Sequence, residues 1–310
     1  MNMQGKLLVD GNDAWIDYGI FVEQYGYKAL IQMPSFKKLD STEWDEYDGE
    51  DVDLTDPKLD TRTFNIQFCM TNIRYAEDFF YDLSQGAYHT LQFADLKKSY
   101  RLRMVSNGTF SSCIKLGKLT LSFADDFPPV LNQEYLDFGI SGVRQFGYKL
   151  DGIDFSQFGS YILKGTDDSI RKAPNIKANL TINTSDLNGV KYDSQNVYFK
   201  TKDTTLKLLI NAVNIDEFWQ RWNSLFTVLT QPESRLFFFG NMDAEYECYY
   251  KSNSVSKFEI LKNGHIWCEF SIVLTFTSYH PKSTYLLLAS EDNDYITTED
   301  DLARIMVRSK

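Results

Sequence analysis

The sequence predicts a mainly β chain of the α+β kind: two tandem β-sandwich or split-barrel domains, each with one packed helix. Three observations predict it. The first is an internal repeat, in which Leu8-Val9-Asp10-Gly11-Asn12-Asp13 returns as Lys149-Leu150-Asp151-Gly152-Ile153-Asp154. Further echoes follow in the same order. Ile20-Phe21-Val22 matches Tyr161-Ile162-Leu163, Pro34-Ser35-Phe36-Lys37 matches Pro174-Asn175-Ile176-Lys177, and Thr63–Ile66 matches Thr205–Leu208. Glu77–Phe80 then matches Asp216–Trp219, and Leu121–Pro128 matches Leu274–Pro281. The offsets run from 139 (Phe79 to Phe218) to 153 (Leu121 to Leu274), a drift that loop insertions explain. The second observation is period-two alternation of apolar residues, and the third is a four-residue apolar spacing once in each half. At 310 residues the chain suits two domains of about 140 residues each. The expected division is copy one over 1–129, a connector over 130–146, copy two over 147–281, and a tail over 282–310.

Copy one opens with a strand at Lys6–Val9 and a tight turn at Asp10-Gly11, where glycine supplies unusual backbone angles. Ile16–Val22 and Ala29–Met33 read as further strands. From Asp40 to Asp60 the chain turns acidic and poor in aliphatics, which predicts a long loop or a protruding hairpin. Copy two has Thr184–Asp193 in its place, expected to be shorter and less acidic. Thr61–Met70 alternates Phe64, Ile66, Phe68 and Met70 on one side, the mark of a half-buried strand. A helix follows at about Tyr75–Ser84, with Tyr75, Phe79 and Leu83 on one face, Asn72 as N-cap and Gln85-Gly86 as its end. Tyr88–Phe93, Tyr100–Ser106 and Cys113–Ala124 complete the copy as strands, with a hairpin turn at Asn107-Gly108.

Pro128-Pro129 closes the first domain, and the connector carries Gly139, Gly142 and Gly147. Copy two repeats the plan. Its strand Thr204–Asn211 leads to a helix over Ile215–Leu229, where Phe218, Trp222, Leu225 and Leu229 share a face. Strands are then expected at Arg235–Gly240, Glu245–Lys251, Lys257–Leu261 and His265–Thr277, with a turn at Asn263-Gly264. In the tail, Thr298-Glu299-Asp300-Asp301 starts a short helix that Arg304, Arg308 and Lys310 close at its negative end.

The formal net charge of −11 argues against a protein that grips phosphates, so no sequence-specific nucleic-acid binding is expected. No run of about 18 apolar residues predicts a membrane span, and the start lacks the apolar region of a signal peptide. Cys69, Cys113, Cys248 and Cys268 show no C-x-x-C spacing and read as free thiols of a reducing cytoplasm, although Cys248 and Cys268 could face each other across strands. The three histidines, His89, His265 and His280, form no catalytic motif, and no nucleophile elbow or phosphate loop occurs. The two Asp-Gly-x-Asp turns offer paired carboxylates, but turn chemistry accounts for them. Phe237-Phe238-Phe239, Trp219 and Trp222 read as core before ligand groove. The candidate site is the acidic cluster Asp45, Asp48, Glu50, Asp51 and Asp53. It misses the spacing of a calcium loop, so no metal, cofactor or catalytic residue is expected there.

The order strand, Asp-Gly-x-Asp turn, strand, Pro, acidic segment, strand and helix resembles the N-terminal domain of the distal tail proteins of long-tailed phages, which share their fold with tail-tube proteins. Those proteins carry an x-G-x-D-G-x-h-D segment, and Glu46-Tyr47-Asp48-Gly49-Glu50-Asp51-Val52-Asp53-Leu54 is similar to it. The resemblance covers about residues 6–128 and, more faintly, 147–281. It implies a non-enzymatic ring at the tail tip or baseplate of a phage or prophage, in the virion tail after assembly in the bacterial cytoplasm. It also implies self-association as a trimer or hexamer and other tail proteins as partners, and the acidic charge balance permits a channel lining that repels DNA phosphates. The family's second domain is usually lectin-like. Two like domains instead resemble baseplate hub proteins, where three chains imitate six-fold symmetry. The competing expectations are a carbohydrate- or receptor-binding module of tandem β-domains and an enzyme with a carboxylate-only site in the acidic loop.

Overall fold

The computed structural model describes residues 3–23, 26–113, 116–129, 131, 147–186, 188–193, 196–278, 285–287 and 306–308. The chain is mainly β. Copy one consists of β1 (Leu7–Val9), β2 (Asn12–Asp13), α1 (Ala14–Tyr18), β3 (Ile20–Val22), α2 (Lys28–Ile31), β4 (Ser41–Thr42), β5 (Asp51–Val52), β6 (Arg62–Met70), α3 (Ala76–Ser84), β7 (His89–Phe93), β8 (Lys98–Cys113) and β9 (Leu116–Asp125). Copy two supplies β10 (Tyr148–Leu150), β11 (Ile153–Asp154), β12 (Ser160–Ile162), α4 (Thr166–Arg171), β13 (Thr181–Ile182), β14 (Lys191–Tyr192), β15 (Lys202–Ala212), α5 (Ile215–Leu229), β16 (Arg235–Phe239), β17 (Ala244–Ile260) and β18 (Ile266–Phe276). Seven strands of each copy make one sheet, in the orders β2-β1-β7-β8-β9-β6-β3 and β11-β10-β16-β17-β18-β15-β12. Strand for strand the two orders are the same. The duplication read from the sequence is therefore present in the sheet topology.

Alternation builds each sheet. In β6, Ile66, Phe68 and Met70 are buried while Asn65 and Gln67 face out. The helix of copy two follows its predicted face. Asn214 accepts from Glu217 N–H at 2.9 Å, Glu217 Oε2 accepts in turn from Val213 N–H at 2.7 Å, and Phe218, Trp222, Leu225 and Leu229 are buried. Its aromatics lie on the β17–β18 hairpin, with Trp222 against Phe270 at 4.8 Å and Phe218 against Phe258 at 5.4 Å between ring centroids. In copy one, Asn72 accepts from Arg74 N–H ahead of α3, and Phe79 packs edge-on to Phe68.

Several local expectations are corrected. Ile16–Val22 is not one strand. Asp13 caps Trp15 N–H and Gly19, at φ 66°, ends the short α1, so the strand holds only Ile20–Val22. Ala29–Met33 begins as the helical turn α2, which lets the neighbours Leu30 and Ile31 both face the core. Asn107-Gly108 is no hairpin turn. It lies inside β8 at a register shift, where a Cβ on Gly108 would sit 2.8 Å from the Thr120 carbonyl oxygen. In copy two, the expected strands Glu245–Lys251 and Lys257–Leu261 are parts of one long strand, β17, with two such shifts. Two repeat matches also slip. Ile20 pairs with Met70 as Ser160 pairs with Ile210, so the equivalent of Ile20 is Ser160, and β6 matches β15 at an offset of 140 rather than 142. The connector 130–146 lies outside the described residues except for Leu131, as do His280 and the helix start at Thr298–Asp301. Met306–Arg308 is a strand paired with Tyr285–Leu287, so the expected helix does not continue through Arg308.

The chain forms two compact units. The first comprises Met1–Thr42, Asp51–Lys172 and Asp203–Thr277, and so holds both seven-stranded sheets. The second comprises Glu43–Glu50, Ala173–Lys202 and Ser278–Lys310. Within the first unit the copies meet at a polar seam. Asn253 accepts from Met33 N–H through its side chain at 3.0 Å and from Gln32 Nε2 through its carbonyl at 2.9 Å, while Trp219 Nε1 donates to the Leu96 carbonyl at 2.7 Å.

Candidate functional site

The acidic segment is a hairpin. β4 and β5 pair through Ser41 with Val52 and Thr42 with Asp51, and Gly49 turns the chain at φ 77°. Copy two carries its counterpart in β13 and β14, with Thr181 opposite Tyr192 and Ile182 opposite Lys191. The second hairpin is not shorter, since both strands sit 140 residues after their equivalents (Ser41 to Thr181, Asp51 to Lys191). It is less acidic, as expected.

The five candidate acids do different things. Asp45 is exposed at the tip, whereas Asp48 is half-buried and accepts from Phe199 N–H at 2.8 Å. Gly49 N–H donates to the Phe199 carbonyl at 2.8 Å, so the tip pairs with the base of the second hairpin through two bonds. Lys177 completes this contact. Its Nζ donates to the carbonyls of Trp44 at 2.8 Å and Gly49 at 2.6 Å, and its side chain is only 3% exposed. Asp53 accepts from the Thr55 hydroxyl at 2.7 Å and the Thr55 N–H at 3.0 Å, bonds that hold its carboxyl below the ordinary range. Asp45, Asp48 and Glu50 belong to the second compact unit and Asp51 and Asp53 to the first. Among the described residues no three His, Cys, Asp or Glu side chains converge as a metal site would require.

Lys177 was not legible as a functional residue. Its signal was the echo of Lys37 at the same offset of 140.

The Asp-Gly-x-Asp turns are occupied by local bonds. Asp10 and Asp151 both take φ 50°. Asp10 accepts from Thr90 N–H at 2.7 Å and lies 2.6 Å from His89 Nδ1; Asp151 accepts from Leu236 N–H at 2.8 Å and from Arg235 at 2.9 Å. Burial pushes the Asp10 carboxyl up, but the bonds from Thr90 and His89 outweigh it and leave the net shift downward. Asp13 and Asp154 cap the turns that follow, Asp154 in a full capping box with Gln157. These carboxylates tie strand ends together and do not converge.

A second candidate is a cleft of about 200 Å³ at the seam inside the first unit, bordered by Arg62, Lys98, Tyr100, Arg101, Phe127 and Trp219. Arg62 is committed to Asp125 at 2.9 Å and to the Leu30 carbonyl at 3.1 Å. Burial pushes the Tyr100 hydroxyl up to about 12, and that hydroxyl donates to the Leu30 carbonyl. Arg101 lies 4.9 Å from the rings of both Tyr88 and Phe127, and Lys98 lies 4.8 Å from that of Trp219. Of the aromatics singled out in the sequence, Trp222, Phe237 and Phe239 are core, and Trp219 faces this cleft.

No family model and no curated protein matches the chain. Among solved structures, the chain is similar to the SPP1 Dit (gp 19.1) protein, whose crystal structure is described as a paradigm of the hub adsorption apparatus in phages infecting Gram-positive bacteria. The similarity covers 87% of this chain and 98% of that one, at 11% identity and a TM-score of 0.31.

Proposed function

We propose that this chain is a structural subunit of a phage or prophage tail, forming a ring at the tail tip or baseplate that joins the tube to the distal machinery. The observation that carries the reading is the duplication itself. Two sheets of identical strand order, each accompanied by a two-stranded hairpin and by a helix between the equivalent strands β6 and β7 or β15 and β16, present like surfaces twice along one chain. Heterologous contacts between like surfaces close into rings when the rotation permits, and a duplicated chain then needs half as many subunits. Three chains supply six domains; six chains supply a ring from one copy each. The resemblance of the acidic segment to that of distal tail proteins supports the same role.

In this reading Asp45, Asp48, Glu50, Asp51 and Asp53 contribute to an acidic channel wall that repels DNA phosphates, so the genome passes without being held and without catalysis. The partners are further copies of the chain and neighbouring tail proteins. Light scattering across concentration and salt, with electron microscopy of the same samples, tests it. Closed trimers or hexamers with a central hole are expected. A strict monomer up to about 1 mM would sink the reading, since that concentration already admits a contact worth only about 4 kcal/mol.

A second reading rests on the seam cleft, whose Trp219, Tyr100 and Arg101 offer ring faces and donors of the kind a carbohydrate or receptor segment uses. Glycan titration followed by tryptophan fluorescence tests it, with loss of the response in Trp219→Ala. Ring assembly requires no such response.

A further inference from the structure

Residues 34–60 and 174–200 correspond without a gap at an offset of 140, from Pro34 and Pro174 onward. The backbone agrees. Lys37 N–H bonds the Lys58 carbonyl at 2.7 Å as Lys177 N–H bonds that of Tyr198 at 2.8 Å, and Asp60 N–H bonds Ser35 as Lys200 N–H bonds Asn175, both at 2.8 Å. Phe36 bridges Leu59 as Ile176 bridges Phe199, and Gly49 and Gly189 turn the tips at φ 77° and 82°. Each copy thus carries an arm with a base and a tip.

One tip and one base are already joined. The tip of the first arm sits on the base of the second, with Gly49 and Asp48 bonded to Phe199 and Lys177 buried beneath the Trp44 and Gly49 carbonyls. The other base has the same backbone and the same lysine, yet Lys37 is exposed and no described residue bonds the Leu59 amide or carbonyl. Beside it lies an open hollow of about 290 Å³ lined by Lys37, Asp40, Asp53, Thr55 and Lys58. The described residues of the other tip are exposed as well. Leu180 and Ile182 on one face of the second hairpin, and Val190 and Tyr192 on the other, are 47–71% exposed. The first hairpin has Asp40, Thr42, Glu50 and Val52 at these positions. Exposed apolar residues on both faces of one hairpin mark a surface meant to be covered.

We propose that the second arm of one chain docks on the first-arm base of another copy, reproducing between chains the contact already made within one. Lys37 Nζ then meets the Thr184 and Gly189 carbonyls, and Gly189 N–H and the Asn188 amide pair with the Leu59 backbone. Each chain has one open donor and one open receiver, which makes the assembly head-to-tail. This names the contact that closes the ring and rests on that reading.

The test uses the full chain with Lys37→Glu as a receiver-defective form and Ile182→Asp as a donor-defective form, both at exposed positions, with unchanged thermal unfolding as the check on folding. Mass photometry and sedimentation are expected to show a closed wild-type oligomer. Each variant should raise the assembling concentration by about 100-fold, Lys37→Glu by turning a carboxylate toward the two carbonyls and Ile182→Asp by placing one on the covered apolar face. An equimolar mixture should stop at a one-to-one pair, because each variant retains the half that the other lacks. Wild-type rings that both variants still form would overturn the arm contact and leave the ring standing. A wild-type monomer would overturn both. Variants that fail to assemble and also fail to pair on mixing would exclude the head-to-tail arrangement.

Discussion

Replacing Lys177 by alanine removes the cation that bonds the tip of the first hairpin. Two hydrogen bonds go with it, to the Trp44 carbonyl at 2.8 Å and the Gly49 carbonyl at 2.6 Å, while Glu43 at 3.6 Å is half-exposed and adds little. Hydrogen bonds from a charged donor contribute about 1.5–3 kcal/mol each. Trp44 is half-exposed, so water reaches part of the vacated site, and about 3 kcal/mol in total is the reasonable figure. That corresponds to roughly a 150-fold increase in local opening of the tip. Amide hydrogen exchange reads it directly at Gly49 N–H and Phe199 N–H, which bond across the contact. Protection at both should fall by about 100-fold, with amides of Ile66 and Phe68 in β6 changing by less than about threefold. Lys37→Ala, at the exposed equivalent, should leave exchange of the isolated chain unchanged. Unaltered protection at Gly49 in Lys177→Ala would refute the argument, and so would a uniform loss across β6.

Three further outcomes follow from other parts of the molecule. Hydrogen bonds from Arg103 foremost, then from Thr61 and Tyr88, hold the Asp126 carboxyl down to about 2 against an ordinary value of 3.8. Its stabilisation is therefore complete above about pH 4 and lost as the pH falls toward 2, so Asp126→Asn should flatten the acid unfolding curve in that window. Burial pushes the Cys248 and Cys268 thiols far up and Cys69 upward, whereas Cys113 is exposed. A thiol reagent should titrate Cys113 at once, Cys69 slowly and the buried pair only after denaturation; fast reaction of Cys248 would contradict the packing of β17. Gly159→Ala should destabilise by about 2–4 kcal/mol in urea, since Gly159 has φ 66° and a new Cβ would meet Arg221 Cδ at 2.6 Å. Gly152→Ala, with positive φ but nothing within 4 Å, should cost about 1 kcal/mol, and equal losses at the two sites would be inconsistent with the clash.

What the sequence revealed was what periodicity encodes. α5 runs over Ile215–Leu229 as its four-residue spacing predicts, and β6 keeps the predicted alternation, because a half-buried element writes its period into the chain. The misreadings are of elements too short to show a period. α1 and α2, at five and four residues, are set by the Asp13 cap, the Gly19 turn and the burial of Leu30 and Ile31. Gly108 departs from the expected turn because a glycine that admits a neighbouring carbonyl looks, in sequence, like one that turns. The slip of two residues between β6 and β15 has a similar origin. A shift by two returns every side chain to the same face, so pattern matching cannot see it, and only the pairing with β3 and β12 reveals it. At the candidate site the hairpin was legible and its docking was not, because Gly49 and Lys177 are 128 residues apart and no local pattern links them.

The arms lie in a stretch of the duplication whose length both copies share. The offset is 140 at Ile20 and again at Met70, with the arms between them, and the copies drift in length only outside that stretch, with 141 at Asp10, 139 at Phe79 and 153 at Leu121. A surface hairpin is where insertions are best tolerated, so equal length there points to a geometry that both arms must meet. The side chains have diverged within that geometry. The first tip is acidic and sits on a buried lysine of its own chain; the second has replaced Asp40, Thr42 and Glu50 with Leu180, Ile182 and Val190 and leaves them exposed. A contact held within one chain benefits from covalent linkage and needs little apolar area, whereas one formed between chains must also offset lost translational freedom. The apolar second arm has the composition the more demanding contact requires, and Lys37 has the place in its base that Lys177 has in the other.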